Sequence, residues 1–451
     1  MQVLFWLLQA VPYAVAFLFA ILVIVVLQVG TRHFGFGLGF IALTTWLDAA
    51  TQSSPLIQLG VVLYVADIPF ILLGLVTLWR WITASDLPWR HPGWVVYVVV
   101  FFLNLFWGLA TQGTSAGVQA RNDYYAIVAA SYLMSFPIGA REVRSLVRAL
   151  LLLGIGLLGL TTYRWIVYYT PITDLLPPGG VYNIDGPVRV VGSASALLLM
   201  QCFLVGVFFG GISGAAVTLR MFAPAFLGFV VALQHRSVWL AGLVGITVSM
   251  LLARAGTLRV WQQMLVVITL AGLVVGGVVF SGRLGESVTN SASRAVAGQG
   301  TVAARFDNWR VTLSDWKNDG AKAVILGKGY GGDASRIVQD TGGRQTRIKF
   351  GAHNNYVSQL VGVGIVGFAG LLWALVSTVR GLVALVKRRD DNSTGAGLLL
   401  VLLAVQAVYY IAYSVDFMQS ALLGVSLGLA ALARPAARRR PGAIEPLART
   451  A

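Results

Sequence analysis

The sequence predicts an all-α polytopic membrane protein, with 12–13 transmembrane helices and a long extracytoplasmic loop that carries short amphipathic helices. Three observations predict it. Of 451 residues, 57% are hydrophobic and only 11% charged, against roughly 25% charged in a soluble domain. With a mean hydropathy of +0.78, such a chain cannot cover itself with polar surface. Apolar runs recur at about the 20-residue length that spans a bilayer as helix. The runs are continuous, whereas a barrel would alternate, so lipid-facing backbone is satisfied within helices.

In chain order the spans fall near 8–29, 34–47, 58–79, 93–110, 122–138, 146–168, 190–211, 217–234, 237–253, 260–280, 353–379, 397–413 and 417–433. Residues 1–30 lack a basic leader and a small-residue cleavage site, and read as a retained helix. Basic residues set the orientation. Arg141, Arg144 and Arg148, then Arg254 and Arg259, then Lys387, Arg388 and Arg389, and finally Arg434, Arg438, Arg439 and Arg440 mark cytoplasmic segments. The net charge of +16 is read as this topology signal, not as a nucleic-acid surface. The segment 34–47 is short: 14 residues of helix reach about 21 Å of a core roughly 30 Å thick. It sets the choice between 12 and 13 helices. The lone Cys202 excludes an internal disulfide and a cysteine metal cluster.

The chain divides into an N-terminal bundle (1–280), an extracytoplasmic loop (281–352), C-terminal membrane helices (353–433) and a cytoplasmic tail (434–451). The loop holds eleven basic and six acidic residues, a balance of +5 on the face where positive charge is usually scarce. Two readings follow: a solvated loop, or a vestibule for an anionic ligand. Within it, residues 303–318 place Phe306, Trp309, Leu313 and Trp316 at helical spacing. This predicts a surface helix with both tryptophans at the membrane interface. The cluster Gly327-Lys328-Gly329-Tyr330-Gly331-Gly332 follows an apolar AVIL, but offers neither a second strand nor an acid at dinucleotide-fold distance. It reads as a turn, with anion binding by its N–H groups as the alternative.

His353, in GAHNNY, is either a helix-entry residue bonded to backbone or a proton acceptor, with Asn354 or Asn355 as the cap. Arg236, in LQHRSVWL, is either a snorkelling interface residue or an anion ligand. Two spans separate it from the long loop, so Arg236, Arg305 and His353 share one face, joined by Arg189. No spacing of His, Asp or Glu suggests a metal site.

Three stretches resemble the O-antigen ligase and O-antigen polymerase superfamily of bacterial membrane glycosyltransferases. The loop region supplies RFDNW (305–309), LGKGYG (326–331) and AHNNYVSQLVGVGIVG (352–367). HRSVWLAGLVGI (235–246) resembles the family's Ser-Arg helix opening with the two residues reversed, and RVVGSASAL (189–197) another opening without its asparagine. The resemblance implies a C-type glycosyltransferase architecture in the inner (cytoplasmic) membrane, with its site outside the cytoplasm. It implies transfer of a glycan from a polyprenyl diphosphate to an acceptor hydroxyl on a glycan, lipid or protein, inverting and without metal or other cofactor. Arg236 and Arg305 would stabilise the departing diphosphate, and His353 would take the acceptor proton. Arg189, Trp309, Arg310 and Asn354 would bind substrate, and Gly329 and Gly331 would shape the loop. Membrane lipids are the surrounding partners.

A transporter or lipid-glycan flippase is the competing class. It predicts acids at mid-span and broken helices in paired halves. Asp67, a mid-span acid of the third span followed two residues on by Pro69, is the residue that fits it.

Overall fold

The computed structural model describes residues 24–51, 55–59, 61–83, 91–170, 172–173, 175–176, 189–252, 301–332, 335–339, 345–349 and 353–433. The predicted span 260–280, most of 8–29 and the C-terminal tail lie outside them.

The described bundle helices are α1 (Phe34–Thr51), α2 (Asp67–Thr83), α3 (Pro92–Gln112), α4 (Thr114–Met134), α5 (Ala140–Tyr169), α6 (Ser193–Phe208), α7 (Gly214–Ala232) and α8 (Arg236–Leu252). After the loop come α11 (Asn355–Arg388), α12 (Ser393–Tyr409) and α13 (Phe417–Ala430). Five of these helices are long and apolar enough to cross a membrane, and four shorter apolar ones accompany them. The loop contributes α9 (Thr301–Asn318) and α10 (Ala321–Leu326). Two antiparallel hairpins accompany the helices: β1 (Pro55–Leu59) with β2 (Val61–Tyr64), and β3 (Ser335–Gln339) with β4 (Gln345–Lys349).

Burial separates core helices from lipid-facing ones. In α6 every residue from Ser195 to Val207 is buried, and α13 is nearly as enclosed. A helix apolar all round belongs inside. At their crossing Gln201 and Gln419 exchange amide hydrogen bonds of 2.9 and 3.1 Å, interhelical contacts available only to polar groups in an apolar interior. Outer helices present apolar faces instead, as at Leu78, Leu103, Leu152 and Trp373.

Four expectations change. Helix α1 continues to Thr51, so 18 residues give about 27 Å of helix. Gly37 packs on Tyr132 near the end of α4, and Ala50 O accepts from Arg164 near the end of α5. The segment therefore runs the length of the bundle. The third span is not one helix: its first part is the β1–β2 hairpin, and α2 begins only at Asp67. A continuous apolar run carries no period, so strand and helix were indistinguishable there. The predicted loop 111–121 shrinks to Gly113, whose φ of 62° makes the turn between α3 and α4. A second hairpin does follow the glycine cluster, contrary to expectation, but as an antiparallel pair that builds no dinucleotide fold.

Helix α9 forms where periodicity placed it, and Trp316 departs from expectation. It is 5% exposed, and its indole N–H donates to Ala323 O at 2.9 Å, folding α9 onto α10. A buried indole needs such an acceptor, and the nearby α10 carbonyl supplies it.

The loop docks through its glycines. Helix α11 breaks at Gly364 (φ 66°, ψ −176°), a backbone region open essentially to glycine. Gly327 (φ 101°) fits into the break: a Cβ on Gly364 would lie 2.3 Å from Gly327 N, and one on Gly327 2.2 Å from Gly362 O. The break frees backbone carbonyls, and Lys328 N–H satisfies Val361 O at 2.9 Å.

Candidate functional site at one end of the bundle

The predicted polar residues gather where α6, α8 and α11 begin and α7 and α12 end. Arg189, ahead of α6, donates from Nη2 to Gln234 O at 3.1 Å. His235, in the α7–α8 turn, is buried with Nε2 3.2 Å from Val191 O. Burial, with the Arg189 charge beside it, lowers the His235 pKa to about 4, so the ring is neutral and Nε2–H donates to that carbonyl. Arg236 opens α8 immediately after it, partly buried.

Arg305, partly buried on α9, places its guanidinium 5.1 Å from the Tyr413 ring centroid. Tyr413 stacks on Tyr409 at 4.9 Å, and the Tyr409 hydroxyl lies 2.9 Å from Ser193 Oγ. A continuous path of rings and hydroxyls thus links Arg305 to the start of α6, four residues from Arg189.

His353 sits at the mouth of α11, with its side chain exposed and φ of 44°. Asn354 caps the helix by accepting from Val357 N at 3.1 Å, and Asn355 N–H donates to Tyr410 O at 2.9 Å. The cap is therefore Asn354, and the left-handed turn at His353 sets that ring off from the helix. Partial desolvation first, and the Arg305 charge second, lower the His353 pKa from its ordinary value. Both effects favour neutral imidazole, the form that accepts a proton.

The other predicted residues divide. Trp309 is one turn along α9 from Arg305, so the two share a face, and it meets Phe306 edge to face at 4.8 Å. Arg310 is exposed. Gly329 and Gly331 stand apart from the Arg305–His353 group. Their φ values are 77° and 92°, Gly329 approaches Trp107 and Asn104, and Gly331 packs against Gln112 and Ala116. They position the loop on α3 and α4.

Two carboxylates escaped sequence reasoning. In the sequence Asp416 stands apart from any acid or histidine pair. It precedes α13 in the α12–α13 turn, where Asp in front of an apolar helix signals an N-cap. Its Oδ2 is buried without a hydrogen-bond partner. Burial, reinforced by Asp48, raises its pKa to about 7, against the opposing N–H groups of Phe417 and Met418. Asp123, placed by the sequence at the edge of a span, receives hydrogen bonds from Gln359 Nε2 at 2.6 Å and from the Tyr330 hydroxyl at 3.2 Å.

Asp67 is not a mid-span acid. It starts α2, accepts from Tyr64 N at 2.6 Å and from the Tyr125 hydroxyl, and pairs with Arg121 at 3.2 Å. Arg121 in turn lies over the Tyr64 ring at 4.4 Å. The motif Asp-Ile-Pro caps a helix entry at the bundle end, which removes the residue that favoured a transport pathway. Among the described residues no group of three His, Cys, Asp or Glu side chains could hold a metal ion.

Residues 221–372 match the family model described as O-antigen ligase. The matched segment holds Arg236, Arg305, Trp309 and His353, while Arg189 and Asp416 fall outside it. Comparison with curated proteins gives no match.

Proposed function

We propose that this multi-pass membrane protein is a glycosyl-transfer enzyme of the O-antigen ligase/polymerase type, a reading supported by the match of residues 221–372 to the O-antigen ligase family model. The protein takes a glycan from a polyprenyl diphosphate donor and transfers it to an acceptor hydroxyl. The reaction proceeds outside the cytoplasm, at the bundle end that carries Arg236, Arg305 and His353. Sidedness follows from Arg141, Arg144, Arg148, Lys387, Arg388 and Arg389 at the opposite end.

The observation that carries the reading is the gathering of Arg189, Arg236, Arg305 and His353 at one end of the bundle, with Arg305 held over the Tyr413 ring and His353 set off from the α11 cap by its left-handed turn. In the proposed step the acceptor oxygen attacks the anomeric carbon from the face opposite the diphosphate. The glycosidic C–O bond forms as the bond to diphosphate breaks, so configuration inverts. His353 takes the acceptor proton. The electron pair leaves with the polyprenyl diphosphate, whose growing charge Arg305 and Arg236 stabilise. Removing a donor of this kind costs roughly 10²–10³ in turnover. Diphosphate is a good leaving group, so the step calls for no general acid. Trp309, on the Arg305 face of α9, offers a ring for sugar or prenyl stacking, and Arg189 extends the cationic rim.

The test is turnover by purified protein in liposomes with EDTA, a polyprenyl-diphosphate oligosaccharide and hydroxyl acceptors of the glycan, lipid and protein classes. The expected result is a new glycosidic bond of inverted configuration, lost in His353→Ala and reduced about 100-fold in Arg305→Lys. Full transfer by both variants would overturn the site. Donor movement across the bilayer without bond formation would overturn the reaction. The acceptor class that reacts separates a ligase from a polymerase.

A further inference from the structure

The segment of α11 before its break at Gly364, residues 355–363, is the short half-helix on which His353 is mounted. It is held at three points. At its start Asn355 N–H reaches Tyr410 O, and at its end Val361 O accepts from Lys328 N–H. The third point is Gln359, which is 2% exposed, with Nε2 on Asp123 Oδ1 at 2.6 Å and Oε1 accepting from the Tyr97 hydroxyl at 2.7 Å.

The same Asp123 carboxylate receives the Tyr330 hydroxyl on its other oxygen at 3.2 Å. Tyr330 is 5% exposed, edge to face with Phe101 at 5.4 Å, and belongs to the loop that carries Arg305. Its neighbours are tied down as well. Gly331 N–H donates to Gln119, and Leu326 O accepts from Asn104 Nδ2 at 2.6 Å. Loop and half-helix therefore meet at one carboxylate on α4, one oxygen to each.

From this geometry we propose that Asp123 is a positioning residue for glycosyl transfer. It fixes the half-helix carrying His353 against the loop carrying Arg305, acting through Gln359 and Tyr330. Gln359 is four residues into α11, about 6 Å of helix from Asn355, and His353 immediately precedes the Asn354 cap, so a tilt at Gln359 displaces the imidazole. The carboxylate accepts one hydrogen bond on each oxygen, from Gln359 and from Tyr330, which suits an anchor that must hold two elements. A misplacement of about 1 Å at a reacting group can cost about 100-fold in rate. Asp123 touches neither Arg236 nor Arg305 directly, and its loss shifts the two elements against each other without removing a donor ligand, so the loss should fall mainly on turnover, with donor KM moved little.

This inference rests on the transferase reading, and the experiment separates the two. In proteoliposomes, kcat and donor KM are measured for the wild type, Asp123→Ala, Asp123→Asn, Tyr330→Phe and Asp123→Ala/Tyr330→Phe, with thermal unfolding of each in detergent. Absence of wild-type turnover defeats the transferase reading, and with it this inference. Given wild-type turnover, the expected result is a 30- to 300-fold fall in kcat for Asp123→Ala with KM within about threefold. Asp123→Asn, which keeps an acceptor for one partner, should recover part of the loss. The double variant should be no worse than Asp123→Ala, since both changes cut one linkage. Wild-type kcat in Asp123→Ala, a rise in KM without a fall in kcat, or additive losses in the double variant would overturn the role. If Asp123→Ala does not fold, Asp123→Asn and Tyr330→Phe decide by the same split, and unchanged kcat in both overturns it.

Discussion

Gly364→Ala tests the docking of the loop most directly. The native backbone there, φ 66° and ψ −176°, costs a residue with a side chain about 1–3 kcal/mol. Its Cβ would also lie 2.3 Å from Gly327 N, 2.5 Å from Ile325 O and 2.6 Å from Leu326 C. All three are backbone atoms, so no rotamer change relieves the contact and the glycine turn must withdraw. Withdrawal breaks the Lys328 N–H bond to Val361 O, and leaving this half-buried carbonyl unsatisfied costs about 1–3 kcal/mol more. The combined loss is about 2–6 kcal/mol, against a typical total stability of about 5–15. Lys328 lies in the turn, so trypsin reports its opening. Cleavage tracks the opened population when closing is fast, so a loss of 2 kcal/mol corresponds to about 30-fold faster cutting. The assay is limited trypsinolysis in nanodiscs with identification of the Lys328 product, alongside transfer activity. Gly159→Ala is the control: this exposed α5 glycine has open space around the added methyl, and the change should gain up to about 1 kcal/mol in helix propensity. Unchanged cleavage and full activity in Gly364→Ala would refute the account of the break.

Asp416 should make stability fall with rising pH. Its native pKa of about 7, against 3.8, means the folded state binds the proton more tightly between those values. The penalty grows through that window to at most about 4 kcal/mol. Asp416→Asn should flatten the dependence and melt higher than wild type at pH 8, and parallel pH profiles would contradict it. Arg121→Ala removes the cation from the Asp67 pair, whose side chains are 14% and 10% exposed. It should destabilise by about 3 kcal/mol. Arg121→Ala/Asp67→Asn should recover part of that, and equal melting of the single and double variants would argue against the pair. The lowered His353 pKa puts the acid limb of the transfer profile below pH 6.5. Arg305→Gln should move the limb upward by removing a neighbouring positive charge, and an unmoved limb would uncouple the two residues.

The grouping of the candidate site's residues at one end of the bundle was legible because topology is a parity count. Arg189, Arg236, Arg305 and His353 follow from basic markers and the number of crossings, and none of that requires packing. Helix α9 was legible too, since its polar face breaks the apolar background and reveals a period. What failed has a common cause. In a membrane bundle the lipid face and the core face are both apolar, so hydropathy does not say which side of Trp316 or which part of 55–83 is enclosed. Asp67 shows the cost: a hairpin read as helix moved an entry-capping acid to mid-span.

By itself the sequence determined a greasy, many-helix chain with one polar loop, cations on a common face, and glycines beside the loop. Tertiary structure alone decided what the glycines are for, and which acids matter. Gly327 and Gly364 are required by each other's backbone, a contact no local pattern encodes. Asp123 acquires its role from Tyr330 and Gln359, 207 and 236 residues away in the chain. Periodicity reports the average environment of one segment, whereas these are pairings between segments, fixed only when the bundle closes.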